Sequence, residues 1–355
     1  MKPICINGKF FSQRITGTQR YARELLNQFD KLIATDYPQV SFNVLVPRNT
    51  RYVPHYRHLR VQPVGRTSGT LWEQIELPRY CQGNLLFTPS GGAPILYSRN
   101  VVTIHDAAVA AAPAGYSLPY RLWYRSVCRR MGRSATHIFT VSNFSKAEIV
   151  KWYKADPDKV SVAYLGSDHF SSLEADPSTL QWFGISGRYV LAVSSHNPNK
   201  NFARIVEAMS HLKASGLQLV IAGGSDSRIY REGRSLPDGV RALGYVNDSE
   251  LKALYENAAC FVFPSLYEGF GLPPLEAMSC GCQVVLSRAA SLPEVFNGVA
   301  HFCDPYSSED IASAIERAVK FPAAATPNQL RDFAKEFSWE KCARETMEVL
   351  KSLAG

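Results

Sequence analysis

The stretch CFVFPSLYEGFGLPPLEAMSCG, residues 260–281, joins a short apolar run, a glycine-bearing loop and a pair of prolines. The apolar run that ends near Pro264 is typical of a buried strand. Pro273 and Pro274 suit the first turn of a helix, where a missing N–H costs nothing. The stretch therefore predicts a strand, a loop and a helix N-terminus at the carboxyl edge of a sheet, where open α/β folds bind ligands.

The same alternation of apolar runs and amphipathic stretches continues in both directions along the chain. Buried strands followed by helices are typical of a parallel sheet covered on both faces. We therefore predict two Rossmann-like α/β domains in tandem, at residues 1–166 and 188–325, joined by a polar linker at 167–187. Residues 326–355 are predicted to be helical. Because no strand follows them, they must pack on a domain already built, and we expect them to cross back to the first one.

Composition and charge set broad limits on what this chain does. With 355 residues and 46% hydrophobic content, the chain can bury a large core. Residues 1–165 carry 22 Lys and Arg against 9 Asp and Glu, whereas residues 166–355 carry 17 against 22. A basic first half indicates an anionic partner and says nothing about the fold.

The eight cysteines form no CxxC pair and no Cys/His spacing that would suit zinc. We expect them to be reduced, mostly buried thiols. The opening MKPICINGKFF lacks the apolar run of a signal peptide, and no run of about 18 apolar residues occurs. The expectation is a cytoplasmic protein that does not span a membrane.

Two common α/β functions are disfavoured by missing motifs. No G-x-G-x-x-G fingerprint follows the first predicted strand, and no Walker P-loop occurs anywhere in the chain. NAD-dependent and ATP-hydrolysing enzymes are therefore poor interpretations of this sequence.

Glu268 and Glu276 stand eight positions apart on either side of the glycine-bearing loop. Loop amides and a helix dipole favour an anion, but a carboxylate repels a phosphate, so the glutamates need donors instead. Vicinal hydroxyls are such donors, because an ionised carboxylate is acceptor-only. The pattern predicts a diphosphate between two polyols, which describes a nucleotide sugar. The alternative is that Glu276 is only a favourable residue at a helix start.

The segment PSLYEGFGLPPLEAMSCG resembles the E-x7-E signature of the retaining glycosyltransferases of family 4. That family has the GT-B fold of two facing Rossmann-like domains with a C-terminal helix that returns to the first. The resemblance extends, in order, over RITGTQRYARELL, TIHD, FTVSNFSKAEI, NPNKN, LGYVNDSELKALYENA and SLPEV, and so covers essentially the whole chain. It implies a retaining hexosyltransferase that moves a sugar from a nucleotide sugar to a polysaccharide or a lipid-linked glycan.

The resemblance also implies roles for the two-glutamate segment. Glu268 would contact hydroxyls of the donor sugar, and Glu276 would contact the ribose. The backbone of the segment between them would meet the sugar and the distal phosphate, through Gly269, Phe270, Gly271 and Leu272. Glu268 is thereby counted among the catalytic residues.

Lys200, in NPNKN, matches the family's phosphate-binding lysine, whose charge would neutralise the leaving diphosphate. The alternative is a solvated lysine at a helix start. The family usually keeps an arginine just upstream, and this chain has SSHNPN instead. Its place would be taken by one of five side chains: Ser194, which we assign to the donor site, Ser195, His196, Arg204 or Arg228.

Three further positions match family motifs. His105, in TIHD, would contact the donor sugar near the reacting carbon; alternatively it caps a strand end. Gly17 would let the backbone approach the donor phosphate, unless it only forms an N-cap turn. Tyr245 and Val246 would read the base through their backbone, which leaves the base unidentified.

None of these residues is a convincing nucleophile or general base. The resemblance implies front-face attack, in which the leaving phosphate takes the acceptor's proton. No Asp-x-Asp pair suited to a divalent metal is present, so we expect no metal and no cofactor beyond the donor substrate.

Residues 117–133, SLPYRLWYRSVCRRMGR, form an amphipathic helix with five arginines around one apolar stripe. The stripe consists of Tyr120, Trp123, Tyr124, Val127, Cys128 and Met131. The helix either packs its stripe on the sheet with solvated arginines, or contacts an anionic membrane or a lipid-pyrophosphate acceptor. The charge of this half favours an anionic acceptor, and the resemblance implies that the acceptor binds on the first domain.

Two other functions remain open from the sequence. One is a nucleotide-sugar epimerase on a related fold, and the other is a non-catalytic basic protein that binds nucleic acid or sugar phosphates. Nucleic acid is not expected, because interleaved basic and stacking aromatic residues are missing. GDP-mannose is the preferred donor only because members of the family use it, and UDP-hexoses and deoxysugar donors remain open.

Overall fold

The computed structural model describes residues 2–193, 197–223, 237–320 and 325–355. The chain forms two compact units, Met1–Leu165 with Ser338–Gly355, and Gly166–Phe337. Each unit is a parallel sheet with helices, which confirms the predicted α/β class. Ser194, Ser195, His196 and Arg228, which were considered for the phosphate site, lie outside the described residues.

The first unit contains a seven-stranded sheet whose neighbouring strands all pair in parallel. The strand order is β3-β2-β1-β4-β5-β6-β7. The strands are β1 (Ile4–Asn7), β2 (Phe42–Pro47), β3 (Arg60–Val64), β4 (Leu86–Thr88), β5 (Asn100–Thr103), β6 (His137–Thr140) and β7 (Val160–Val162).

The helices of the first unit up to residue 165 are α1 (Gly17–Thr35), α2 (Gly69–Leu71), α3 (Leu77–Cys81), α4 (Ala108–Ala111), α5 (Leu118–Ser134) and α6 (Asn143–Tyr153). A π-helical turn spans Trp72–Glu76, and 3-10 turns span Lys9–Ser12, Pro113–Gly115 and Pro157–Lys159. Helix α1 begins at a capping box formed by Thr16 and Gln19. Its buried face carries Phe29, which stacks on Phe42 of β2 at 5.1 Å between ring centroids.

The second unit contains a six-stranded parallel sheet with the order β10-β9-β8-β11-β12-β13. Its strands are β8 (Tyr189–Val193), β9 (Gln218–Ala222), β10 (Val240–Gly244), β11 (Cys260–Phe263), β12 (Val284–Ser287) and β13 (His301–Cys303). The chain builds outward from β8 in one direction and from β11 in the other. The strand order therefore reverses between β8 and β11, which is the topological switch point of the sheet.

The helices of the second unit are α7 (Asp168–Ser171), α8 (Thr179–Trp182), α9 (Phe202–His211), α10 (Asp248–Asn257), α11 (Leu272–Ser279), α12 (Leu292–Phe296), α13 (Ser308–Lys320) and α14 (Pro327–Lys335). Short 3-10 turns span Pro198–Lys200 and Lys213–Ser215. The last helix, α15 (Trp339–Ala354), belongs to the first unit, where Trp339 is fully buried near Tyr21.

The returning segment is shorter than the predicted 326–355. Helix α14 stays with the second unit, because Phe333 packs on Phe296 and Arg331 donates a hydrogen bond to the carbonyl of Cys280. The region predicted as a linker, 167–187, also belongs to the second unit and contains α7 and α8. Burial of Phe170 ties it there, which its polar composition does not reveal.

All eight cysteines are free and buried. In the described ranges, no group of three or more His, Cys, Asp or Glu side chains is arranged to hold a metal ion. A search of the same ranges found no helix that is both long and apolar enough to cross a membrane.

Candidate functional site

The predicted ligand loop lies at the switch point of the second sheet. Glu268 follows β11, and Lys200 follows β8, the strand paired with β11. Because both strands are parallel, their carboxyl ends lie at the same edge of the sheet. The topology therefore brings together two residues that are 68 positions apart in sequence.

Two asparagines attach the segment after β8 to the segment after β11. The carbonyl of Asn199 accepts a hydrogen bond from the backbone N–H of Leu266 at 2.7 Å. The side-chain amide of Asn201 donates to the carbonyls of Pro264, at 3.1 Å, and Pro305, at 2.6 Å. Asn201 has a left-handed backbone, with φ of 60°, a conformation that asparagine tolerates better than most residues. These bonds hold Lys200 beside the loop.

Lys200 and Glu268 form an ion pair, with 2.5 Å between Nζ and Oε1. The lysine side chain is 22% exposed and the glutamate side chain 13% exposed, so a ligand can still reach both. The ammonium also lies 4.8 Å from the ring centroid of Phe263, at the end of β11. Sequence reasoning assigned the two residues to different parts of the ligand and did not predict their contact.

The loop between Glu268 and α11 is held in place by hydrophobic packing of Phe270 and Gly271. Phe270 is buried against the rings of Phe296 and Phe337, so this residue can offer only its backbone to a ligand. Gly271 has φ of 106°, and a Cβ there would lie 2.8 Å from side-chain atoms of Leu292 and Phe296. Position 271 therefore requires glycine for two independent reasons.

Glu276 lies in the second turn of α11, one turn later than the sequence indicated. The helix begins at Leu272, so the two prolines occupy its second and third positions. The stabilisation of a carboxylate by a helix N-terminus falls off beyond the first turn, which weakens the interpretation of Glu276 as a simple helix-start residue. Glu276 is buried, and its Oε1 lies 3.1 Å from Nε2 of His169.

His169 is a residue of this site that sequence reasoning missed. It lies on α7, in the segment read as a linker, 107 positions before Glu276. The available signal was local: His169 precedes Phe170, an apolar residue in an otherwise polar stretch, and Phe170 proves to be fully buried.

Arg204, a candidate for the second phosphate contact, is engaged elsewhere. Its guanidinium lies 2.8 Å from the carboxylate of Glu207, one turn along α9, and both side chains are largely exposed. The role proposed for Arg204 gains no support from this contact.

Tyr245 and Val246 follow β10, two strands away from β8 at the edge of the sheet. Two strand spacings amount to roughly 10 Å, which places the pair to one side of Lys200. The tyrosine side chain is exposed, and α10 begins just afterwards with a capping box formed by Asn247 and Glu250.

In the first unit, His105 lies two residues beyond β5. Burial lowers the pKa of its imidazole to about 4, partly offset by a hydrogen bond with the backbone of Pro89. The ring meets Tyr21 of α1 edge-on at 4.8 Å, and within the described part of the chain its buried Nε2 has no hydrogen-bond partner. His105 is thus a neutral imidazole, and its expected contact with the donor sugar stays a prediction.

Gly17 is the first residue of α1. A Cβ at this position would meet nothing within 4 Å, so packing of the described residues does not require glycine there. The role expected for Gly17 at the donor phosphate stays a prediction.

Comparisons with known proteins agree with this geometry. The family model for glycosyl transferases group 1 matches residues 185–337, and the model for glycosyltransferase family 4 matches residues 15–169. The O-antigen chain mannosyltransferase B of Escherichia coli is 32% identical over 284 residues, which are 75% of this chain and 73% of that protein.

The chain belongs to glycosyltransferase family 4. It is therefore an enzyme, a glycosyltransferase, which sets aside both the epimerase and the nucleic-acid-binding alternatives.

Solved structures share the fold of this family 4 glycosyltransferase. A sucrose-phosphate synthase from Thermosynechococcus elongatus aligns with a TM-score of 0.78 at 20% identity over 99% of both chains. The Anabaena protein HepE, solved in complex with UDP-glucose, aligns with a TM-score of 0.74 at 18% identity over 98% of this chain and 99% of that one. Such structures are GT-B glycosyltransferases with two Rossmann-like domains, the fold predicted here.

Helix α5 buries only the second half of its predicted apolar stripe. Val127, Cys128 and Met131 are buried in the core, whereas Tyr120 and Trp123 are each 45% exposed. Leu118 and Leu122 are also exposed. The rings of Tyr116, Tyr120 and Tyr124 stack in a row, and Tyr124 packs against the core. The first half of the helix therefore presents apolar and aromatic side chains outward.

Two glycine substitutions separate backbone strain from packing in the loop between Glu268 and α11, which we call the donor loop. Gly271→Ala and Gly298→Ala both force alanine into positive φ, which costs about 1–2 kcal/mol. A Cβ at Gly298 meets nothing within 4 Å, whereas one at Gly271 meets Leu292 and Phe296. We expect Gly271→Ala to lower the free energy of unfolding by about 1–3 kcal/mol more than Gly298→Ala, as measured by urea denaturation. Equal losses would show that the loop does not rest on this contact.

Proposed function

We propose that this glycosyltransferase is retaining and metal-independent, and that it moves a hexose from a nucleotide sugar to a growing polysaccharide or a lipid-linked glycan. GDP-mannose is the preferred donor, supported by the mannosyltransferase activity named for the relative from Escherichia coli. The UDP-glucose bound in HepE supports a nucleotide sugar as the donor class without favouring a base.

The observation that carries the proposal is the Lys200–Glu268 pair at the switch point, beside loop backbone and a helix N-terminus. The lysine offers its charge to the distal phosphate, and the loop amides of Gly269, Phe270 and Gly271 add hydrogen-bond donors. Glu268 accepts hydrogen bonds from sugar hydroxyls, and Glu276 accepts them from the ribose. Lys200 lies against the carboxylate and screens it from the phosphate, which removes the repulsion between two anions in one loop.

The proposed reaction needs no covalent intermediate on the protein. The bond between the anomeric carbon and the distal phosphate oxygen breaks, and the acceptor hydroxyl attacks that carbon from the same face. The acceptor's proton passes to the departing phosphate oxygen. Lys200 stabilises the charge that develops on the diphosphate, and the neutral imidazole of His105 offers Nε2 to a sugar hydroxyl.

A permanent cation and backbone donors give the diphosphate its positive partners in this proposal, in place of a metal ion. In the Asp-Pro-Asp stretch at 156–158, Asp156 accepts a hydrogen bond from the backbone N–H of Asp158 and caps a 3-10 turn.

The first experiment measures thermal shifts with GDP, UDP and dTDP. At 100 times its dissociation constant, the matching diphosphate should stabilise the protein by about 2.7 kcal/mol. Lys200→Ala should weaken its binding about tenfold or more, because a charge-assisted contact is lost. Lys320→Ala, which removes an exposed cation paired with Glu316 on α13, should bind like the unaltered protein. If no diphosphate shifts the midpoint, the donor site is assigned wrongly.

A second experiment follows sugar transfer to a glycan acceptor by NMR in the presence of EDTA. We expect the anomeric configuration of the donor to be kept and the rate to be unchanged by the chelator. Glu268→Gln should lower kcat by about a hundredfold, the order reported for loss of one transition-state contact. Inversion of the anomer, or a rate restored only by added Mg²⁺ or Mn²⁺, would refute this part of the proposal.

We also propose that the first half of α5 contacts an anionic membrane, where a lipid-linked acceptor resides. The exposed Leu118, Leu122 and Trp123 are the apolar contacts, and the arginines further along the helix match anionic headgroups in charge.

Sedimentation with vesicles tests the membrane contact. The protein should bind vesicles rich in phosphatidylglycerol more tightly than phosphatidylcholine vesicles. Replacing Leu122 and Trp123 by serine should weaken that binding at least about tenfold, because two large apolar side chains lose their burial. Ser126→Ala, on the exposed part of the same helix, serves as the control. Equal binding of all three proteins would contradict a role for this surface.

A further inference from the structure

The carboxylate assigned to the ribose has a protein partner that no family motif indicated. Nε2 of His169 lies 3.1 Å from Oε1 of Glu276, and both side chains are less than a tenth exposed. The contact uses one oxygen of the carboxylate. In the proposed contact with the ribose, the other oxygen, Oε2, accepts the hydrogen bonds.

His169 is itself held in place by the segment around it. Phe170 is buried against Tyr255, with 6.0 Å between ring centroids, and the imidazole meets the ring of Phe170 edge-on at 5.0 Å. Lys252 of α10 donates hydrogen bonds to the carbonyls of Phe170, at 2.9 Å, and Leu173, at 2.6 Å. The chain is therefore fastened directly after the histidine, and the imidazole has little freedom to turn away.

The second unit also joins its two chain ends at this place. The backbone N–H of Ser167 donates a hydrogen bond to the carbonyl of Phe337 at 3.3 Å, and these two residues lie at opposite ends of the chain segment that forms the unit. The ring of Phe337 meets Phe270 of the donor loop at 6.0 Å. Both ends of this segment therefore contact the candidate site: Phe337 packs against Phe270, and His169 lies beside Glu276.

We propose that His169 is a positioning residue for the nucleotide, which acts through Glu276. A glutamate carboxylate turns readily about its last torsion, and a hydrogen bond to Oε1 from a fixed imidazole stops that rotation. Oε2 then faces the ribose hydroxyls before the nucleotide arrives. This inference rests on the proposed function, because it assumes that Glu276 contacts the ribose.

Calorimetry on the full chain tests it with two ligands. GDP and UDP are titrated first, and the tighter binder is then compared with its 2′,3′-dideoxy form. His169→Ala should weaken binding of the ribose form about tenfold, as expected for loss of a hydrogen bond to a charged group. It should change binding of the dideoxy form less than about twofold, because that ligand lacks the hydroxyls that Glu276 contacts. Glu276→Gln should show the same ligand dependence.

Two further variants separate positioning from folding. His169→Gln keeps an N–H donor at similar reach, so it should recover most of the affinity that His169→Ala loses. His211→Ala is the matched control, because His211 lies beside Ser308 and Glu309 on the surface of the same unit. It should bind both ligands like the unaltered protein. In transfer assays, His169→Ala should raise the KM for the donor with little change in kcat, since a ground-state contact is removed.

The possible outcomes are distinct. If Glu276→Gln loses affinity only for the ribose form and His169→Ala loses none, the proposed function stands and the role of His169 is refuted. If His169→Ala weakens both ligands equally, the histidine has a general structural role and the inference is wrong. If the unaltered protein binds none of GDP, UDP and dTDP, the proposed function fails, and this inference fails with it. If it binds dTDP alone, the donor class stands, and this inference, which needs both ribose hydroxyls, is refuted.

Discussion

The ion pair between Lys200 and Glu268 is the interaction on which the donor site depends. A loop that offers amides to a diphosphate attracts negative charge, yet this loop carries a carboxylate at its start. Placed alone beside a phosphate, Glu268 would oppose binding. With Lys200 against it, the carboxylate is neutralised on one side and free to accept hydroxyl donors on the other. One cation thereby lets a polyol site and an anion site exist side by side.

The pair exists because of strand order rather than local sequence. Lys200 follows β8 and Glu268 follows β11, and the two strands are neighbours at the point where the order of the sheet reverses. Asn199 and Asn201 fasten the two segments together, while Gly271 and Phe270 set the loop against α12 and Phe337. The rigid parts of the site therefore lie on the side of the loop that packs against α12 and Phe337.

The alternation of apolar runs with amphipathic stretches, and the positions of glycine and proline, were enough to predict two parallel sheets and the position of the donor loop. The contact between Lys200 and Glu268 could not be predicted from the sequence, because it depends on which strands pair between positions 68 residues apart. The prediction of a linker around His169 is wrong because polar composition hides two buried anchors, Phe170 and Ile185. Helix α5 was predicted with one continuous stripe, since periodicity does not tell which half of a helix the core covers. Pro273 and Pro274 do lie in the first turn of α11, whereas Glu276 lies in the second turn and not at the helix start.

The most direct measurement is a crystal structure of the protein with an intact nucleotide sugar bound. We expect an oxygen of Glu268 within about 3 Å of a sugar hydroxyl, Lys200 within the same distance of the distal phosphate, and Glu276 on the ribose. A donor bound elsewhere, or bound with both carboxylates directed away from its hydroxyls, would contradict it.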